Sequence, residues 1–160
     1  MGPLIHPEHF RSVAGFVERA LAHGATAVVG GRPSALGGNY FEPTILTHVD
    51  QTSEIVQREV FGPVLTFQTF STEDEAIALA NDTAYGLAAI VFTNNEERAE
   101  RVGSQLVAGT VWTNCFYVRD LAAPFGGSRL SGIGREGGVW SFDFFCDIKN
   151  IATRRGSFTS

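Results

Sequence analysis

The chain has 160 residues, 44% of them hydrophobic, with 17 acidic against 12 basic side chains and a net charge of −5. Such a length suffices for one domain that buries roughly 70% of its unfolded surface, and so apolar a composition excludes intrinsic disorder. The acidic balance argues against a nucleic-acid or anionic-membrane surface, and no apolar run reaches the ~18 residues of a bilayer span. Met-Gly-Pro-Leu-Ile-His at the N-terminus lacks the cationic stretch and apolar core of a secretory signal. The two cysteines, Cys115 and Cys146, form no disulfide framework, so a cytoplasmic location is expected.

Pro7 at a first-turn position, followed by Phe10, Val13, Ala14, Val17, Ala20 and Leu21 at helical spacing, predicts a helix that Gly24 ends. Residues 25–29 and 40–46 read as extended, and Thr52 to Gln57 as one helical turn. Residues 61–70, rich in Val, Phe and Thr, predict a strand. The acidic run Glu73-Asp74-Glu75 behind Ser71-Thr72 opens a helix through residue 80. Residues 88–93 predict a strand, 96–107 a helix with one charged face, and 110–113 another strand. A short helix is expected over 139–145 and a last extended segment over 148–153. Strands alternating with helices indicate an α/β layer with a largely parallel sheet. No internal repeat or linker divides it, so one domain is expected.

Glycine stands out at 18 residues, six of them between Gly126 and Gly138. Gly132-Ile133-Gly134-Arg135-Glu136-Gly137 matches the dinucleotide fingerprint G-x-G-x-x-G, which works only behind a buried strand. Residues 124–131 make a poor strand, so the match is a decoy. The Walker spacing from Gly127 also fails, because Ile133 stands where Lys is needed. No His lies close to Cys115 in sequence, and Cys115 and Cys146 both read as structural thiols. The four histidines show no metal-ligand spacing, and His6 and His9 read as solvated residues at a helix start. On spacing alone Glu59 is a solvated surface carboxylate, and Arg119-Asp120 an exposed ion pair worth under ~1 kcal/mol.

Four segments nevertheless occur in a telling order: Glu59-Val60-Phe61-Gly62-Pro63-Val64, Asn81-Asp82-Thr83-Ala84-Tyr85-Gly86-Leu87, Gly109-Thr110-Val111-Trp112-Thr113-Asn114-Cys115, and Pro124-Phe125-Gly126-Gly127 through Gly137. Together they resemble the C-terminal portion of an aldehyde dehydrogenase, over nearly the whole chain from Gly2 onward. Arg129 stands where that family usually has Lys. The resemblance implies a three-layer α/β/α sandwich forming part of a catalytic domain over residues 1–145. It implies that residues 146–160 are an arm strand and tail that join a neighbouring subunit, so self-association is expected.

It also implies the chemistry. Such enzymes attack an aldehyde with a Cys thiolate, pass hydride to NAD(P), and hydrolyse the thioester with Glu-activated water. By resemblance Glu59 accepts hydrogen bonds from the nicotinamide ribose, Phe61 packs near the nicotinamide, and Phe125 lines the substrate tunnel. The catalytic Cys, the Glu base and the cofactor domain would lie upstream of Met1. No catalytic residue is therefore expected in these 160 residues, no metal is expected, and the chain alone is expected to be inactive with weak or no NAD binding. Phe116 through Leu121 and Ser131 through Gly138 further resemble the subgroup acting on 2-hydroxymuconate and 5-carboxymethyl-2-hydroxymuconate semialdehydes. Their substrates carry carboxylates, and Arg119 is the candidate to bind one through a charge-assisted pair of ~1.5–3 kcal/mol. That subgroup often has a second Arg where this chain has Ala122. The alternatives are one half of a split enzyme completed by an N-terminal chain, and a non-catalytic assembly module.

Overall fold

A computed structural model describes residues 1–156. Within the span read above as one domain, the residues cluster into two compact units, Met1–Thr83 and a second beginning at Ala84. Each mixes helix and sheet, as the alternating pattern predicts.

The first unit opens with helix α1 (Pro7–Ala22), where His6 takes the capping position and accepts a hydrogen bond from the His9 amide at 3.1 Å. Strands β1 (Thr26–Val29), β2 (Thr44–Thr47) and β3 (Val64–Thr66) form one sheet in that order, with the short helix α2 (Glu54–Gln57) between β2 and β3. The pairing of β2 with β3 is parallel, as expected, but β1 runs antiparallel to β2 with a register break between Ala27 and Val29. The reason is the connection: residues 30–43 contain no helix to carry the chain across the sheet, so it doubles back. Alternation along β2 turns Thr44 and Leu46 inward. Leu46 meets Ala20 and Ile55, and Val13, Val17 and Phe41 form the adjoining cluster. The buried Thr44 hydroxyl donates to the Glu42 carbonyl and accepts from the Gly31 amide, both at 2.8 Å, which removes the cost of its burial. Helix α3 (Glu73–Asn81) closes the unit, capped by Thr72, which accepts from the Glu75 amide. The Glu75 carboxylate in turn accepts from the Ser71 amide at 2.7 Å, a variant of the capping box.

The second unit is built on one βαβ crossover: β4 (Ala88–Val91), α4 (Glu96–Gln105) and β5 (Thr110–Thr113), with β4 and β5 parallel and α4 packed on both. Asn95 caps α4 by accepting from the Arg98 amide at 2.7 Å. Beyond β5 the chain is mostly loop, with a 3-10 turn at Arg129–Ser131 and a short helix α5 (Trp140–Phe145). The extended segment predicted over 148–153 has no strand partner among the described residues, and residues 146–156 form neither helix nor strand. Ile148 and Ile151 there are 92% and 79% exposed. The end of the predicted 146–160 arm lies outside the described residues. No helix among those described is long and apolar enough to cross a membrane.

Candidate functional site

In the first unit, α2 ends at Gln57 and the chain swings through Arg58, Glu59, Val60 and Phe61 into β3. Glu59 is exposed and, with Phe61, lines a cavity of about 350 Å³ that also includes Val60, Leu65 and Thr66. Phe61 has φ of 54°, a left-handed conformation unusual for an aromatic residue, and the residue is 75% exposed. Its carbonyl is fixed by His9, whose Nε2–H donates to it at 2.7 Å while the two rings lie 6.0 Å apart. A carbonyl only accepts, so this bond selects the tautomer with hydrogen on Nε2. His9 is therefore no solvated bystander. It is half-buried, and its Nδ1 is buried with no hydrogen-bond partner. The neighbouring Arg58 turns toward Glu54, 3.6 Å away, and leaves the Glu59 carboxylate exposed beside the cavity. Glu59 offers two acceptor oxygens, suited to a vicinal diol, and Phe61 an open ring face, suited to a flat heterocycle.

In the second unit, the strap after β5 is held by Trp112. Its indole N–H donates to the Val118 carbonyl at 2.9 Å, and its ring contacts Phe116 and Tyr117 at 5.9 and 6.3 Å. That brings Arg119 to the glycine-rich loop. Phe125 and Glu136 exchange both backbone hydrogen bonds, each 2.8 Å, and so stand directly opposite one another. The Arg119 guanidinium lies 4.7 Å over the Phe125 ring and 2.8 Å from the Glu136 carboxylate. The structure thus joins the two expected substrate residues, Arg119 and Phe125. It corrects the pairing of Arg119 with Asp120, because the Asp120 carboxylate instead accepts from the Ala122 amide at 2.9 Å, closing a local turn. Phe125, Ile133, Arg135, Glu136 and Phe144 help line a cavity of about 240 Å³.

The loop itself owes its path to backbone contact. A Cβ on Gly109 would fall 1.6 Å from the Gly126 carbonyl oxygen, so only glycine admits the loop against the start of β5. Gly132, Gly134 and Gly137 all have positive φ, and a 3-10 turn, not a buried strand, precedes them. Their fingerprint spacing is loop geometry. Arg135 gathers the loop by donating to the Gly127 and Gly134 carbonyls at 2.6 and 2.7 Å.

Sequence reasoning missed His9 and Glu136. Neither carries a local signal, since each acts on a residue distant in the chain: Phe61 for one and Arg119 for the other. Cys115 is half-buried and Cys146 exposed, both as free thiols. Among the described residues no group of three or more His, Cys, Asp or Glu side chains is arranged to hold a metal ion.

Residues 1–151 match the aldehyde dehydrogenase family, and the chain belongs to it. It is 46% identical over 158 residues to a 2-hydroxymuconic semialdehyde dehydrogenase of Pseudomonas sp. (strain CF600), covering 96% of this chain and 32% of that protein. Among solved structures it superposes on betaine aldehyde dehydrogenase from Staphylococcus aureus in complex with NAD+, with a TM-score of 0.86 and 46% identity over 91% of this chain and 30% of that one. An NAD+ complex of aldehyde dehydrogenase from Bacillus cereus gives a TM-score of 0.89 at 40% identity, over 93% of this chain and 30% of that one. The α/β fold is therefore that of the aldehyde dehydrogenases. The chain spans about a third of the length of the relatives it matches.

Proposed function

We propose that this chain is the C-terminal, catalytic-domain portion of an NAD-dependent aldehyde dehydrogenase whose aldehyde bears a carboxylate, of the muconate semialdehyde type. The observation that carries the reading is the pair of prepared surfaces on a fold shared with NAD+ complexes of two aldehyde dehydrogenases. One presents the Glu59 carboxylate and the exposed Phe61 ring, and the other joins Arg119 to Phe125. Glu59 would hold the nicotinamide ribose by accepting from its hydroxyls, and Phe61 would pack on the ring. When bound, NAD+ supplies the hydride acceptor. Phe125 would line the aldehyde's path and exclude water, and Arg119 would meet the carboxylate of the substrate. Cys115 does not match the motif that carries the nucleophile in this family, and the 160-residue chain alone is expected not to turn over aldehyde.

The exposed apolar residues Ile148 and Ile151 support an arm over residues 146–155 that pairs with a neighbouring subunit. An assembly module would use the same arm, but the Glu59 and Arg119 surfaces have no part in that role.

The test follows NADH absorbance with NAD+ and 2-hydroxymuconate semialdehyde. The chain alone should give none. Residues 1–151 joined to the N-terminal two-thirds of the Staphylococcus aureus relative should turn over. Turnover by the chain alone would overturn its inactivity, and an inert, folded chimera that still binds NAD+ would overturn the enzymatic assignment.

A further inference from the structure

Glu59 lies just beyond α2, a helix of a single turn, and a helix so short has no stability of its own. Its direction is set by what it is fastened to. At its start Glu54 accepts from the Arg19 guanidinium at 2.7 Å, and Ile55 is buried with Ala20 and Leu46. At its end, where the chain leaves for Glu59, the fastening is Gln57. The Gln57 side-chain amide donates to the Gln51 carbonyl at 2.7 Å and to the Asp82 carbonyl at 2.8 Å, which uses both of its hydrogens.

The distant partner, Asp82, caps the C-terminal end of α3. The last turn of a helix leaves carbonyls without an intrahelical partner, and α3 has no basic side chain there to supply one. Glutamines supply it instead. Gln51 donates to the Leu79 carbonyl at 3.2 Å and to the Asp82 carbonyl at 2.9 Å, and Gln68 donates to the Gln51 side-chain oxygen at 3.1 Å. The Asp82 carbonyl thus accepts from two side chains, one of them on α2. Past Glu59 the chain is held again, by His9 at the Phe61 carbonyl. Arg58, Glu59 and Val60 therefore run between two fixed points.

We propose that Gln57 is a positioning residue for the cofactor: tied to α3, it fixes the end of α2 and so the place from which the Glu59 carboxylate reaches a ribose. This rests on the reading that Glu59 accepts from the nicotinamide ribose. Gln57 does not line the cavity beside Glu59, so it acts through the backbone.

Two substitutions separate donation from packing. Gln57→Met keeps the length and the helix preference but donates nothing. Gln57→Lys restores donation, with a charge that suits a helix C-terminus. In the 15N-labelled 160-residue chain, Gln57→Met should make the Glu59 amide more mobile on the picosecond-to-nanosecond timescale, read as a lower heteronuclear NOE. Gln57→Lys should return it to the parent value, and the buried Leu46 should keep its parent value in both. The chimera carrying residues 1–151 gives the second readout, NAD+ affinity from quenching of its intrinsic fluorescence. Gln57→Met should weaken NAD+ binding about three- to tenfold, the range of one net hydrogen bond, and Gln57→Lys should restore it. In a Glu59→Gln background Gln57→Met should add nothing, because Gln57 acts only through Glu59. Where Glu59→Gln weakens NAD+ binding, parental values for Gln57→Met in either measurement overturn the proposal. Additive losses overturn it too, as does a Gln57→Lys variant that behaves like Gln57→Met. Glu59→Gln with the parent's NAD+ affinity would instead sink the ribose reading alone, and the NMR result would still decide whether Gln57 orders Glu59.

Discussion

The two units are held together by different means. The first has side chains at its centre: Val13, Val17 and Leu46 are fully buried, and α1, the sheet and α2 close over them. The second has, among its described residues, no buried side chain at all; the only buried positions are Gly86 and Gly127. Its order comes from backbone: the Gly109 contact with Gly126, the Phe125–Glu136 bridge, the Arg135 bonds to carbonyls, and the Ser128 amide on the Gly86 carbonyl at 2.8 Å. Meanwhile Phe92, Phe116, Phe142 and Phe145 are each 65–73% exposed. A side-chain core tolerates small losses of volume, since cost scales with the cavity left. A backbone-packed loop tolerates almost no added volume.

The sharpest way to break this comparison is Gly109→Ala. The added methyl has nowhere to go, so the second unit should lose its near-ultraviolet signal from Trp112, at a cost of roughly 4 kcal/mol or more. A variant with wild-type Trp112 signal and unchanged urea midpoint would show that the loop yields easily. Next in size, Leu46→Ala should cost about 2–5 kcal/mol in urea unfolding, with the loop around Phe125 unchanged by NMR. Loss of both units together would mean they unfold as one.

The smallest effect concerns pH. The Arg19 guanidinium donates to Glu54 at 2.7 Å, and that bond holds the Glu54 carboxyl below its ordinary value and raises Arg19. A carboxylate with a lowered pKa contributes stability above its unfolded value and loses it as pH falls through the folded one. Glu54→Gln should therefore lower the urea midpoint slightly at pH 7, and the difference should vanish as the solution is acidified through the carboxylate range. A constant difference down to pH 2 would remove charge as the cause. Exposure of both groups keeps the effect small.

Much of the fold is legible because its determinants are local. Helix α1 follows from the spacing of Val13, Val17 and Ala20, and α3 from Thr72 with its acidic first turn. What escaped depends on partners far along the chain. The antiparallel β1 is set by the helix-free connection of residues 30–43. The strand predicted over 61–70 shrinks to Val64–Thr66 because only those residues find β2. The left-handed Phe61 and the Arg119–Glu136 pair belong to tertiary contacts that spacing does not encode. Glu59, Phe61, Arg119 and Phe125 came through resemblance to whole motifs, since on spacing alone the charged ones read as ordinary surface.

The crowding at Gly109 carries a lesson for anyone redesigning this chain. The loop's path is welded at its glycines, so new side chains are best introduced at exposed positions such as Arg119, Ala122, Ile133 and Glu136. A library spread evenly over residues 109–138 would spend many of its members on collapsed proteins. One confined to those exposed positions leaves the scaffold standing.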